Sequence, residues 1–160
     1  KYSQKIRESI FNQKIIHKIC RIYSNEEGYK DLFQEIVIQL WKSYSSFKGE
    51  SKFTTWMYSV SLNTAMSLFR KVKKHETKIN IELVQDKIKH DEINDDDEIK
   101  VKKMYQAIHQ LNDVDKALIM MYLDDKDYSE ISRILGITEG NARVKMNRAR
   151  NKLKQLIKNR

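Results

Sequence analysis

A chain of 160 residues has room for one medium domain or two small ones. Its 31 Lys and Arg against 22 Asp and Glu leave a formal charge of +9, which favours a polyanionic partner. The lone Cys20 excludes an internal disulfide and a Cys-rich zinc site, while the absence of proline and only four glycines fit an all-helical chain.

Phe11, Ile15, Ile19 and Ile22 recur at helical spacing and predict a first helix ending near Ser24 and Asn25. Cys20 falls within that stretch and is expected to be a buried thiol. A second helix is predicted over 29–44, with Leu32, Phe33, Ile36, Val37 and Leu40 as its apolar arc. Asp31, Gln34, Glu35 and Lys42 take the opposite side, with Ile38 among them. An isoleucine flanked by carboxylates is either a small protein-binding patch or a single exposed apolar residue of no consequence.

Residues 47–53, FKGESKF, have no period and contain Gly49, so they predict a loop. A third helix is predicted over 54–71, with Met57, Tyr58, Leu62, Ala65, Leu68 and Phe69 on its core face. Trp56, Val60, Asn63, Ser67 and Arg70 lie on a different side. A tryptophan aligned with an asparagine off the core suits stacking on a base and reading its edge. The other reading has Trp56 packing beneath the 47–53 loop. In the nucleic-acid reading, Phe47 and Phe53 wall an unstacked base while Lys48 and Lys52 hold phosphates.

From 73 to 98 the sequence is polar, charged and poorly periodic, and reads as an extended linker in which Ile79, Ile81, Leu83 and Val84 could dock only weakly. It includes the acidic run DEINDDDE at 91–98. Helical period returns with Val101, Met104, Tyr105, Ile108 and Leu111, and a further helix is predicted over 113–123. The predicted architecture is all-α: two small helical domains, 1–72 and 99–160, joined by the charged linker 73–98.

Residues 127–154 read as a helix-turn-helix. Asp127 can cap a short helix, with Glu130 at capping-box spacing; Ile131, Ile134 and Leu135 supply its buried stripe, and Gly136 is placed to end it left-handed. Thr138 can cap the second helix, in which Ala142, Met146, Ala149, Leu153 and Leu156 share one face. Asn141, Val144, Arg148 and Asn151 fall roughly opposite, Arg143, Asn147 and Arg150 on one flank and Lys145 on the other. Arginine pairs with guanine, asparagine with adenine, and an apolar Val144 can touch a thymine methyl, so this face suits a DNA major groove. No acidic residue follows Glu139.

His17, His75, His90 and His109 are scattered without ligand spacing, and no nucleophile–base pair or phosphate-cradling glycine loop is visible. The expectation is a protein that is not an enzyme and needs no cofactor or metal. No apolar run approaches the roughly 20 residues of a membrane helix, and the start, KYSQKIRESIF, does not resemble a signal peptide, so a cytoplasmic location is expected.

Taken in order, DLFQEIVIQLW, FKGESKFTTWMYSVSLNTAMSLFRK and the 127–154 segment resemble regions 2.2, 2.3–2.4 and 4.2 of a bacterial RNA polymerase sigma factor of the extracytoplasmic-function group, within the sigma-70 family. The resemblance implies a promoter-specificity subunit that directs core polymerase to −10 and −35 elements and assists melting. By it, Asp31, Gln34 and Glu35 bind the clamp helices of the β′ subunit, and Ile38, on the same face by pattern, is counted with them. Phe47, Lys48, Gly49, Glu50, Ser51, Lys52 and Phe53 capture a base flipped from the −10 element, beside Trp56 and Asn63. Arg143, Val144, Asn147 and Arg148 read the −35 duplex, and Asn141 and Lys145, placed by the helix pattern, are counted with them. The β flap and an anti-sigma factor are further implied partners, and the acidic linker would thread a basic polymerase channel. Two departures stand out: Val144 replaces a small polar residue and Asn147 a ring, so an unusual −35 sequence is expected. Residues 57–61 also lack a basic residue common at that place in the family. The rival readings are a stand-alone helix-turn-helix repressor or activator on duplex operator DNA, a helical adaptor without a DNA role, and a DNA enzyme.

Overall fold

The computed structural model describes residues 13–79 and 96–159. Phe11, Ile81, Leu83, Val84 and most of the acidic run lie outside them. Seven helices are present among the described residues: α1 (Gln13–Tyr23), α2 (Glu26–Ser43), α3 (Phe53–Ile79), α4 (Asp96–His109), α5 (Asp113–Leu123), α6 (Tyr128–Leu135) and α7 (Glu139–Lys158). A 3-10 turn, Tyr44–Ser46, closes α2 before the predicted loop.

Local chemistry explains most boundaries. The side chain of Asn25 accepts from Gly28 N at the start of α2, and that of Asn112 accepts from Asp115 N at the start of α5. Each such cap contributes about 1 kcal/mol. In the helix-turn-helix, Asp127 Oδ1 accepts from Glu130 N at 2.8 Å and Thr138 Oγ1 from Asn141 N at 3.1 Å. Between them Gly136 closes α6 at φ 65°, ψ 36°, a left-handed conformation that costs a residue with a Cβ free energy. The Glu130 carboxylate is engaged elsewhere than in a reciprocal capping box: its Oε1 accepts from Lys126 Nζ at 3.0 Å and Thr55 Oγ1 at 2.9 Å.

Three boundaries depart from the sequence reading, the first being that α2 begins at Glu26, three residues before its predicted start. Helix α3 continues to Ile79, eight residues past the predicted end, because 72–79 contain neither glycine nor proline to stop it. Helix α4 begins at Asp96, so Asp96, Asp97 and Glu98 form its first turn, where carboxylates complement the helix dipole.

Helices α1–α3 pack together, as do α4–α7, but the two groups also share one hydrophobic cluster. Ile16, Ile19, Ile36, Met57, Tyr58 and Leu62 on one side adjoin Ile108, Leu118, Ile119, Ile131 and Met146 on the other. Polar contacts stitch the seam. Tyr58 Oη donates to Asp124 Oδ2 at 2.9 Å and Tyr23 Oη to the Asp113 carbonyl at 2.5 Å, while Lys18 pairs with Asp124 and Arg70 with Asp113. Cys20 is buried, as expected, and desolvation raises its thiol pKa to about 11, which keeps it protonated and inert.

Candidate functional site

Three exposed surfaces carry the residues singled out by the sequence. The first lies on α2. Leu32 and Ile36 are buried and hold the helix to the core, which turns Asp31, Gln34 and Ile38 outward. Glu35 is half-buried and accepts from Gln39 Nε2 at 2.8 Å. Val37, expected in the apolar arc, is instead 44 % exposed, because Leu32, Ile36 and Leu40 already fill the stripe facing the core. Trp41 is 69 % exposed. Val37, Ile38 and Trp41 thus make a contiguous apolar strip beside the carboxylates. The sequence held that signal, since Trp41 stands one turn after Ile38 and two after Gln34.

The second surface is the loop and the start of α3. Lys48, Gly49, Glu50 and Lys52 are exposed, Ser51 is half-buried, and Gly49 sits at φ 75° with open space around it. The aromatic rings do not stand apart. Trp56 is half-buried beneath the loop, its ring centroid 5.2 Å from Phe47 and 5.4 Å from Phe53. Tyr44, which the sequence reading missed, meets Trp56 edge-on at 6.4 Å. Trp56 therefore packs beneath the loop, the second of the two roles open to it. Asn63, two turns further along α3, is exposed, and Thr55, Met57 and Tyr58 are buried on the other side. The arrangement is an aromatic platform with lysines at its rim, suited to stacking against a base and contacting its phosphates.

The third surface is α7. Ala142, Met146 and Ala149 are buried and Leu153 and Leu156 pack against the core, as the periodicity predicts. Asn141, Arg143, Val144, Asn147 and Arg148 are exposed, while Lys145 is half-buried. The helix carries seven basic residues and one acidic one, a charge balance suited to a phosphate-lined groove. Arg143 does not stand free: its guanidinium carbon lies 4.6 Å from the Tyr128 ring centroid and its Nη2 lies 3.7 Å from Glu139 Oε2. Among the described residues no group of three or more His, Cys, Asp or Glu is placed to hold a metal ion.

Comparison with known proteins agrees with this arrangement. The profile of Sigma-70 region 2 matches residues 11–75 and that of Sigma-70, region 4 matches residues 102–153, together 117 of the 160 residues. The chain is 28 % identical to RNA polymerase sigma factor YlaC of Bacillus subtilis over 149 residues, covering 91 % of this chain and 86 % of that protein. It is 24 % identical to the ECF RNA polymerase sigma-E factor of Escherichia coli over 176 aligned positions, covering 97 % and 92 %. Among solved structures, the sigma factor RpoE in complex with the anti-sigma factor NepR from Bartonella quintana superposes with a TM-score of 0.77 at 18 % identity, over 97 % of each chain. CnrH in complex with the cytosolic domain of CnrY does so at 0.67 and 14 %, over 98 % of this chain and 89 % of the other.

Proposed function

The chain belongs to the extracytoplasmic-function group of the sigma-70 family and is a promoter-specificity subunit of RNA polymerase, and we propose which of its surfaces does each part of that work. The strip of α2 built from Asp31, Gln34, Glu35 and Ile38, extended by Val37 and Trp41, docks on the β′ clamp helices of core polymerase. The loop 47–53 with Trp56 and Asn63 captures a base flipped from the −10 element. The exposed face of α7 reads the −35 duplex. The region 2-like unit runs through α3 to Ile79, the region 4-like unit runs from Asp96 at the start of α4, and the charged segment between them connects the two. The protein contributes binding and strand opening, and the chemistry of transcription belongs to the polymerase it joins.

The observation that carries this reading is the order of the three surfaces along one chain, each held outward by a buried stripe on its own helix. Flipping a base costs a few kcal/mol, and contacts to the extruded base offset it, so opening and reading become one event. Within the described residues no helix is long and apolar enough to cross a membrane. We place the protein in the bacterial cytoplasm, with an anti-sigma factor as a regulatory partner, by analogy with RpoE and its complex with NepR.

Core-dependent transcription from a library of randomised −10 and −35 sequences tests the assignment. Two motifs are expected, and only when core is present; tight operator binding by the chain alone would reject it. In the same assay Arg148→Ala is expected to lose about 1–3 kcal/mol of −35 discrimination, and an unaltered −35 profile would remove Arg148 from the reading face. Changing Asn63 to Ala is expected to impair open-complex formation, followed by permanganate reactivity of unpaired thymines, more than −35 binding. Equal losses in both would argue against base capture.

A further inference from the structure

We infer that Tyr128 is a specificity-determining positioning residue, whose ring holds the Arg143 guanidinium so that one edge of it is presented to a single base pair. The inference rests on the reading of α7 as the −35 helix. Tyr128 is the first residue of α6, on the far side of the Gly136 corner from Arg143. Its place relative to α7 is set by the packing of Ile131 and Ile134 in the same buried cluster as Ala142 and Met146. The ring therefore does not depend on DNA for its position.

The geometry leaves a defined remainder of the guanidinium. The Arg143 guanidinium carbon lies over the Tyr128 ring, 4.6 Å from its centroid, and Glu139 Oε2, one turn earlier on α7, lies 3.7 Å from Nη2. The Arg143 side chain is still 60 % exposed. A guanidinium has five N–H donors in a planar fork, so a ring contact at its carbon and one carboxylate contact at Nη2 leave donors available for guanine O6 and N7. An arginine held this way has already given up much of its rotamer freedom before it meets DNA. Two turns along the same flank, half-buried Arg150 lies over the Tyr122 ring, also at 4.6 Å. Both arginines of this flank are thus fixed by rings from the preceding helices, but Arg143 is the more exposed of the two.

A library of −35 sequences transcribed with core polymerase distinguishes this role from simple packing. Tyr128→Phe keeps the ring and is expected to leave the base profile unchanged. Tyr128→Leu keeps apolar volume without the ring. It is expected to lose roughly tenfold preference at one base pair, the pair also lost in Arg143→Ala, with other positions retained. The double variant Tyr128→Leu, Arg143→Ala should be no less selective there than Arg143→Ala alone. A uniform fall at every position in Tyr128→Leu, or an unchanged profile, would overturn the inference while leaving the −35 reading in place. Absence of any −35 preference in the parent chain would overturn that reading and the inference with it.

Discussion

Reversing Asp31 and Glu35 together to lysine is expected to abolish binding to core polymerase and leave the fold intact. Asp31 is exposed, and half-buried Glu35 accepts a local bond from Gln39 Nε2 on its own helix. Surface changes of this kind usually move stability by no more than about 0.5 kcal/mol. At the proposed interface each carboxylate would meet a basic partner and lose water. Truncating one member of such a desolvated pair costs about 2–5 kcal/mol, and reversal adds repulsion. Loss of binding should therefore exceed a hundredfold, well beyond any folding effect. Trp41→Ala belongs in the same experiment, because a tryptophan exposed by 69 % at the edge of a strip has the character of an anchoring residue. A pull-down on immobilised core polymerase, with thermal melting of the variant as the control, decides it. Retention equal to the parent chain would remove α2 from the polymerase interface.

How far the sequence reveals this molecule depends on how local each determinant is. Asp127, Gly136 and Thr138 act over three residues, so the helix-turn-helix was legible down to its caps, and the alternation of Ala142, Met146 and Ala149 marked the buried side of α7. The end of α3 was not legible, since a helix extended by polar residues has no apolar period to follow. The seam between the lobes was hidden for another reason. Its polar pairs join residues as distant as Lys18 and Asp124, and no spacing rule links them. Of the site, Ile38 and the loop could be read from pattern, whereas the packing of Tyr44 on Trp56 and of Tyr128 on Arg143 depends on tertiary geometry. Lysines are almost never fully buried, so nothing in the sequence marked Lys116 as a core residue.

Lys116→Met is expected to hold the two lobes together and to lower transcription about tenfold. A grip on −10 and −35 elements about 25 base pairs apart must span on the order of 85 Å at about 3.4 Å per pair. Lobes that share one hydrophobic cluster cannot do so, so the closed arrangement has to come apart for the chain to work. Lys116 lies at that seam, 1 % exposed, donating to the Ile22 carbonyl at 3.2 Å and sitting 4.4 Å from the Phe69 ring centroid. Desolvation lowers its pKa to about 8, with Lys73 adding to the shift and Asp113 opposing it. The separated lobes return it to an ordinary value near 10.5. Between these values the separated state binds more protons, so the closed state gains stability as pH rises from about 8 to about 10.5. Below about 8 the closed state carries the whole cost of a buried ammonium. Methionine, also unbranched, can take the same buried position without a charge. Replacing buried charge by apolar volume commonly stabilises by about 1–4 kcal/mol, of which the orphaned Ile22 carbonyl takes back about 1 kcal/mol. A net gain near 1.4 kcal/mol is tenfold in the closed-to-open ratio, which energy transfer between dyes on α2 and α7 would report alongside transcript yield. Asp124→Ala, which removes the Lys18 pair and the Tyr58 bond, should move both readouts the other way. If Lys116→Met left the dye separation and the transcript yield unchanged, the buried ammonium would have no part in setting the balance between closed and open lobes.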